Sequence, residues 1–109
     1  MKRKLLLIVD DWELLERYEE RFSGAFEVLC APFGTEGVRM AREERPDLIL
    51  LRLVFENMSI EEACRELRAD PLTHSIPILA VSESGEGGSG PDHWLKAPVS
   101  VEGVLALYP

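Results

Sequence analysis

The run LILLRLVFEN, Leu48 to Asn57, constrains the fold more than any other stretch of the chain. Seven of its ten residues are Leu, Ile, Val or Phe, with none of the alternation of a half-exposed strand. A short apolar run entered through Pro46-Asp47 and left through Glu56-Asn57 predicts a strand buried on both faces of a parallel sheet. KLLLIV before Asp10 and IPILAV before Ser82 read the same way. Segments of helical period lie between these runs. DWELLERYEERF sets Leu14, Leu15, Tyr18 and Phe22 on one side, with Asp11 as cap, Glu13 and Arg17 paired on the solvent side, and Gly24 as the stop. GTEGVRMAREER is helical, with Thr35 as a candidate cap. SIEEACRELRAD opens on a Ser59/Glu62 capping box and is ended by Pro71. FEVLCA and HWLKAP add short strands, and SVEGVLALY closes the chain as a helix capped by Ser100.

Strands alternating with helices predict an α/β fold: one flavodoxin-like domain over residues 1–109, with a doubly wound, parallel, five-stranded sheet and right-handed crossovers. In such sheets the functional crevice lies beyond the carboxyl ends of the strands. Asp10, Asp11, Arg52 and Ser82 all fall at or near such ends, so they are expected to converge. One stretch breaks the alternation. ESGEGGSGP, Glu83 to Pro91, holds four glycines and no large apolar residue, and cannot bury a helical face. A phosphate-cradling loop would need a helix N-terminus after the glycines. Pro91-Asp92 and a strand follow instead, which reads as a flexible connection.

Charge narrows the function classes. A formal net charge of -8 argues against nucleic acid and against anionic membranes as partners, because both recruit basic surfaces. MKRKLLLIV resembles the start of a signal peptide, but Asp10 and Asp11 interrupt it, so it reads as the first strand of a cytoplasmic protein. Cys30 and Cys64 have no motif spacing and read as small buried thiols. The absence of Gln and the single Asn, beside abundant Glu and Arg, fit a heat-adapted source.

Arg52 is the anomaly. It lies near the end of a fully apolar strand, where a guanidinium is expensive to bury without a partner. Four motifs give it a context: IVDD at the end of the first strand, PDLILLRL at the third, ILAVS at the fourth and WLKAPV at the fifth. In this order and spacing they resemble the receiver domain of bacterial response regulators, over essentially the whole chain. In that family the third motif ends like PDLILLDL, and its last Asp accepts a phosphoryl group. The acidic pair and that Asp bind Mg²⁺, while a Lys before Pro and a Ser or Thr hold the phosphate.

The resemblance therefore implies a degenerate pocket, with Asp10 and Asp11 as the acidic pair, Arg52 at the acceptor position, Ser82 at the hydroxyl position and Ala97 where the family has Lys. A guanidinium has no acceptor and cannot attack phosphorus or ligate a metal. Lys96 is one residue early, and one residue along a strand is the opposite face. The resemblance also puts Trp94 at the switch-aromatic position, here as a fixed packing residue, and Pro98 at a cis X-Pro junction. Arg52 is expected to replace the metal as counter-ion to Asp10 and Asp11, or else to reach solvent unpaired. Ser82 either bonds into the pocket or is a plain loop-start hydroxyl. The loop ENMSI departs from the family's usual turn. Ser82 to Trp94 is 12 residues, too short for a crossover helix with its loops, so the family's fourth helix is expected to be reduced or missing.

The function expected on these grounds is a non-enzymatic pseudo-receiver that takes neither phosphate nor Mg²⁺, nor any other cofactor. It would act as a protein–protein interaction module in a two-component or related regulatory system. Candidate docking regions are the acidic helix face Glu13, Glu16, Glu19 and Glu20, and the altered segment from Glu83 to Trp94. The rival expectations are a receiver still phosphorylated at Asp10 or Asp11, and a small-ligand sensor using the strand-end crevice.

Overall fold

The computed structural model describes residues 1–55 and 58–109. In chain order the elements are β1 (Lys4–Val9), α1 (Trp12–Phe22), β2 (Glu27–Ala31), α2 (Gly34–Glu44), β3 (Leu48–Arg52), α3 (Ile60–Ala69), β4 (Ile78–Ser82), β5 (His93–Lys96) and α4 (Val101–Leu107). The strands form one five-stranded sheet in the order β2-β1-β3-β4-β5, with every pair parallel. The α/β doubly wound fold expected from the sequence is present.

Strand alternation sorts the core into two layers. Leu5, Leu7, Val9, Leu48 and Leu50 pack with Leu15, Tyr18 and Phe22 of α1 and Val104 of α4. Leu6, Ile8, Ile49 and Leu51 pack with Val38 and Ala41 of α2 and Ala63, Cys64 and Leu67 of α3. Each Leu or Ile so buried stabilises the fold by roughly 1.5–3 kcal/mol relative to exposure. Residues Leu48 to Leu51 are at most 1% exposed, as a strand covered on both faces requires. Gly37, unfavourable inside a helix, has a packing reason: a Cβ there would lie 2.5 Å from Ile8 Cδ1, so glycine lets α2 sit flush on β1.

Several local expectations are corrected. β3 ends at Arg52 rather than running on through Phe55, because the Asp10 carboxylate captures the amides of Val54 and Phe55. Val54 and Phe55 are exposed, and the Glu56-Asn57 end of that run lies outside the described residues. Thr35 does not cap α2. The chain turns helical after Phe33, an N-cap without a side-chain bond, which leaves Thr35 inside the first turn. Cys64 is buried, whereas Cys30 is only partly so, because β2 is an edge strand. The Asp11 and Ser100 caps, the Ser59/Glu62 capping box and the Glu13–Arg17 pair are all formed.

No helix joins β4 to β5. Residues 83–92 form a strap laid against α3 and β5, not the open flexible connection read from composition. The position of Gly87 faces the Trp94 ring so closely that a Cβ would overlap it. Gly90, at φ +126°, puts its backbone where a Cβ would sit 3.0 Å from Cys64 Cβ. Glycine is needed at these points for close approach and for the positive φ. Asp92 latches the strap's far end: its amide donates to the Ile78 carbonyl at 2.8 Å, and its Oδ2 accepts from the Ile78 amide and from Arg68 Nη2, both at 2.7 Å.

Candidate functional site

The carboxyl ends of β1, β3 and β4 do bring Asp10, Asp11, Arg52 and Ser82 into one region, but their side chains serve different neighbours. Asp10 Oδ1 and Oδ2 accept from the amides of Val54 at 2.9 Å and Phe55 at 2.8 Å. One carboxylate thus fixes the backbone beyond β3. Asp11 is the N-cap of α1 and accepts from Glu13 N and Leu14 N. Ser82 Oγ donates to the Glu86 carbonyl at 2.9 Å and accepts from the Gly85 amide at 3.0 Å, so its hydroxyl folds the strap and does not reach the acidic pair.

Arg52 does not neutralise Asp10 or Asp11. It is 8% exposed, its Nη2 bonds Glu83 Oε1 at 2.9 Å, and its Nη1 bonds the Val81 carbonyl at 3.3 Å. The pairing expected from the sequence fails on register. Val9 is the β1 partner of Arg52, and residues paired across parallel strands share a face. Arg52 therefore points with Val9 toward α1, while Asp10, one residue on, has the opposite parity. The alternative, an unpaired arginine reaching solvent, also fails, since the side chain stays buried and bonded.

The region Arg52 enters is a cavity of about 280 Å³ lined by Leu14, Arg17, Tyr18, Arg21, Arg52, Glu83, Ala97 and Pro98. Ala97 lines it, whereas Lys96 is exposed on the strap side of β5. The small side chain of Ala97 leaves room for the long one of Arg52. Burial pushes the Tyr18 hydroxyl above its usual pKa, against the pull of Arg52 and Arg21. Arg21 Nη1 also holds the Val99 carbonyl at 2.7 Å, tying α1 to the turn after β5. The Ala97–Pro98 peptide is cis.

Trp94 lies on the other side of β5. It packs partly buried on the α2/α3 layer, and its indole N–H donates to the Gly88 carbonyl at 2.8 Å. The ring and the strap therefore hold each other. Sequence reasoning missed two contributors, Glu83 as the partner of Arg52 and Asp92 as the latch. Glu83 directly follows Ser82 and was the only sequence signal for the first, but its side chain belongs to a loop whose path the sequence does not give. Asp92 had none.

No protein-family model matches the chain. Protein PilH of Pseudomonas aeruginosa is 30% identical over 112 residues, covering 92% of this chain and 90% of that protein. The DNA-binding response regulator MtrA of Mycobacterium tuberculosis is 29% identical over 97% of this chain, which spans 49% of MtrA. The response regulator PleD of Caulobacter vibrioides is 33% identical over 86% of this chain and 23% of its own length. Among solved structures, the receiver domain of a sensor histidine kinase from Pseudomonas aeruginosa, with magnesium coordinated in its active-site cleft, superposes with a TM-score of 0.86 at 22% identity, covering 98% of this chain and 94% of that one. Chemotaxis protein CheY4 of Vibrio cholerae gives 0.84 at 22% identity, with 99% and 97% covered. The four motifs, the strand order and a relative matched over nearly its full length agree: the chain belongs to the response regulator receiver family.

Proposed function

We propose that this chain is a receiver that no longer accepts phosphate and works as a constitutive protein-interaction module in a regulatory pathway of the two-component type. The observation that carries this reading is Arg52. It stands where the family places its acceptor carboxylate, and it is bound to Glu83 and Val81 rather than turned out to solvent. A guanidinium cannot serve as nucleophile toward phosphorus.

The residues present do not fit the family's Mg²⁺. That ion wants a near-octahedral set of hard oxygens. Asp10 and Asp11 already accept from four backbone amides, and the third carboxylate is replaced by a cation. Among the described residues no group of three or more His, Cys, Asp or Glu could hold a metal. The missing β4–β5 helix removes part of the surface through which receivers of this family meet their outputs, so a phosphorylation-driven change of partner has little to act on. The strap and the acidic α1 face remain as docking candidates, and a protein is the partner in this reading. DNA binding is a property named for MtrA, of which this chain spans about half. Among the described residues no helix is long and apolar enough to cross a membrane.

Two measurements test the reading. After incubation with acetyl phosphate and Mg²⁺, the intact mass should be unchanged. Amide resonances of Asp10, Asp11 and Ser82 should stay still on addition of millimolar Mg²⁺ and beryllofluoride. A stoichiometric phosphoryl adduct, or saturable shifts at those residues, would reinstate a phosphorylated receiver.

A further inference from the structure

Arg52 is more than nine-tenths buried, yet its hydrogen-bonding is incomplete. Nε is the one buried side-chain nitrogen or oxygen without a partner among the described residues. In the planar guanidinium fork, Nε–H and one terminal N–H lie on a single edge that matches the two oxygens of a carboxylate or phosphate. Glu83 engages Arg52 through one oxygen only, at Nη2. The Glu83 side chain is 87% exposed, so it is a weak, solvent-screened partner that is easily displaced.

The surroundings suit an anion. The cavity beside Arg52 is also lined by Arg17, Arg21 and Tyr18. Arg17 is already paired with Glu13, but Arg21 forms no ion pair among the described residues, and the guanidinium lies over the Tyr18 ring, 5.5 Å from its centroid. In a chain of net charge -8, these three arginines make a local concentration of positive charge. At about 280 Å³, the space is at the small end for ligand pockets, which run from about 300 Å³ upward. That size favours a small ion over a nucleotide.

We propose that the cavity between α1 and the β5–α4 turn is a binding site for a small oxyanion, a carboxylate or a phosphate, held on Arg52 in the place of Glu83. Noncovalent anion binding here goes beyond the interaction-module reading and does not depend on it, because no phosphoryl group is transferred and no partner protein is required. The Glu83 carboxylate acts as an internal competitor that occupies half of the site when the anion is absent.

The test is an NMR titration of the full chain with sodium phosphate and, separately, sodium acetate, each against sodium chloride at matched ionic strength. Amides of Arg52, Glu83 and Ala97 and the Arg52 Nε–H should shift saturably with phosphate, acetate or both, and which of the two binds more tightly identifies the preferred anion. Glu83→Gln should tighten binding roughly two- to fivefold, the factor that removal of an exposed competing ion pair provides. Arg52→Met should abolish the shifts. If Arg52→Met fails to fold, Glu83→Gln and the Nε–H resonance decide alone. Shifts that remain linear, that chloride reproduces, or that are the same with and without Glu83 would overturn the site. A covalent adduct in the acetyl phosphate experiment would instead overturn the interaction-module reading and leave this one standing.

Discussion

Arg52 Nη2 lies 2.9 Å from Glu83 Oε1, so the cation at the end of β3 is joined to the residue after β4 and not to the acidic pair after β1. The consequence is a division of labour across the sheet. The Arg52 guanidinium is directed toward α1, beside Ala97, and Asp10 is directed toward the backbone beyond β3. The polar side chains at these strand ends are taken up by contacts that hold loops in place.

Arg52 and Ala97 should behave as a coupled pair. Ala97→Lys places a further cation and extra volume against Arg52 and should destabilise the fold by about 1–3 kcal/mol. Arg52→Asp removes the bonds to Glu83 and the Val81 carbonyl and sets a carboxylate beside Glu83, and should cost on the order of 2–3 kcal/mol. The double variant should be less destabilised than the sum by at least about 1 kcal/mol, because the introduced ammonium then faces the introduced carboxylate. Urea denaturation of the four proteins measures the cycle. Simple additivity would show that the two side chains do not share a space.

The strap depends on Gly87. A methyl group there must displace the Trp94 ring, so Gly87→Ala should cost roughly 1–3 kcal/mol. It should also weaken the indole bond to the Gly88 carbonyl. Trp12 is 64% exposed, so a Trp12→Phe background isolates Trp94, whose emission should shift to the red as the strap lifts. Unchanged emission and stability would mean that the strap does not cover the ring in solution.

Asp92 gives a stability term with a defined sign. Burial raises its carboxyl pKa, but the Ile78 amide and the Arg68 guanidinium outweigh it and hold the pKa below the ordinary 3.8. A depressed folded-state value means that the stabilisation is present above the unfolded value and is lost as pH falls through the folded one. The side chain is 42% exposed, which screens the ion pair. Asp92→Asn should therefore cost only about 1 kcal/mol near neutrality, with the gap to the parent protein closing below about pH 4. Urea midpoints measured from pH 7 to pH 3 follow this gap, and a gap of constant size would remove the charge from the explanation.

Much of the architecture was legible in the residues. Continuous apolar runs with no alternation, set between segments of helical period, point to strands covered on both faces by helices, so LILLR and its neighbours imply a parallel doubly wound sheet. The Asp11, Ser59 and Ser100 caps follow from local bonds between a side chain and amides two or three residues away. The shortness of the β4–β5 connection leaves too little chain for a full crossover helix with its loops. Strand parity also separates Lys96 from Ala97 onto opposite faces.

What the sequence could not decide were contacts that depend on register and loop path. Whether Arg52 meets Asp10 or Glu83 turns on its alignment with Val9 in the neighbouring strand, and the sequence of one strand does not encode its offset from another. Composition made residues 83–91 look like a loose linker. Only the placed Trp94 ring and Cys64 show the glycines as points of close contact. Local patterns determined which elements form, because their hydrogen bonds and apolar faces are short-range. The tertiary structure decided which charge answers Arg52, because that depends on how the ends of β1, β3 and β4 line up.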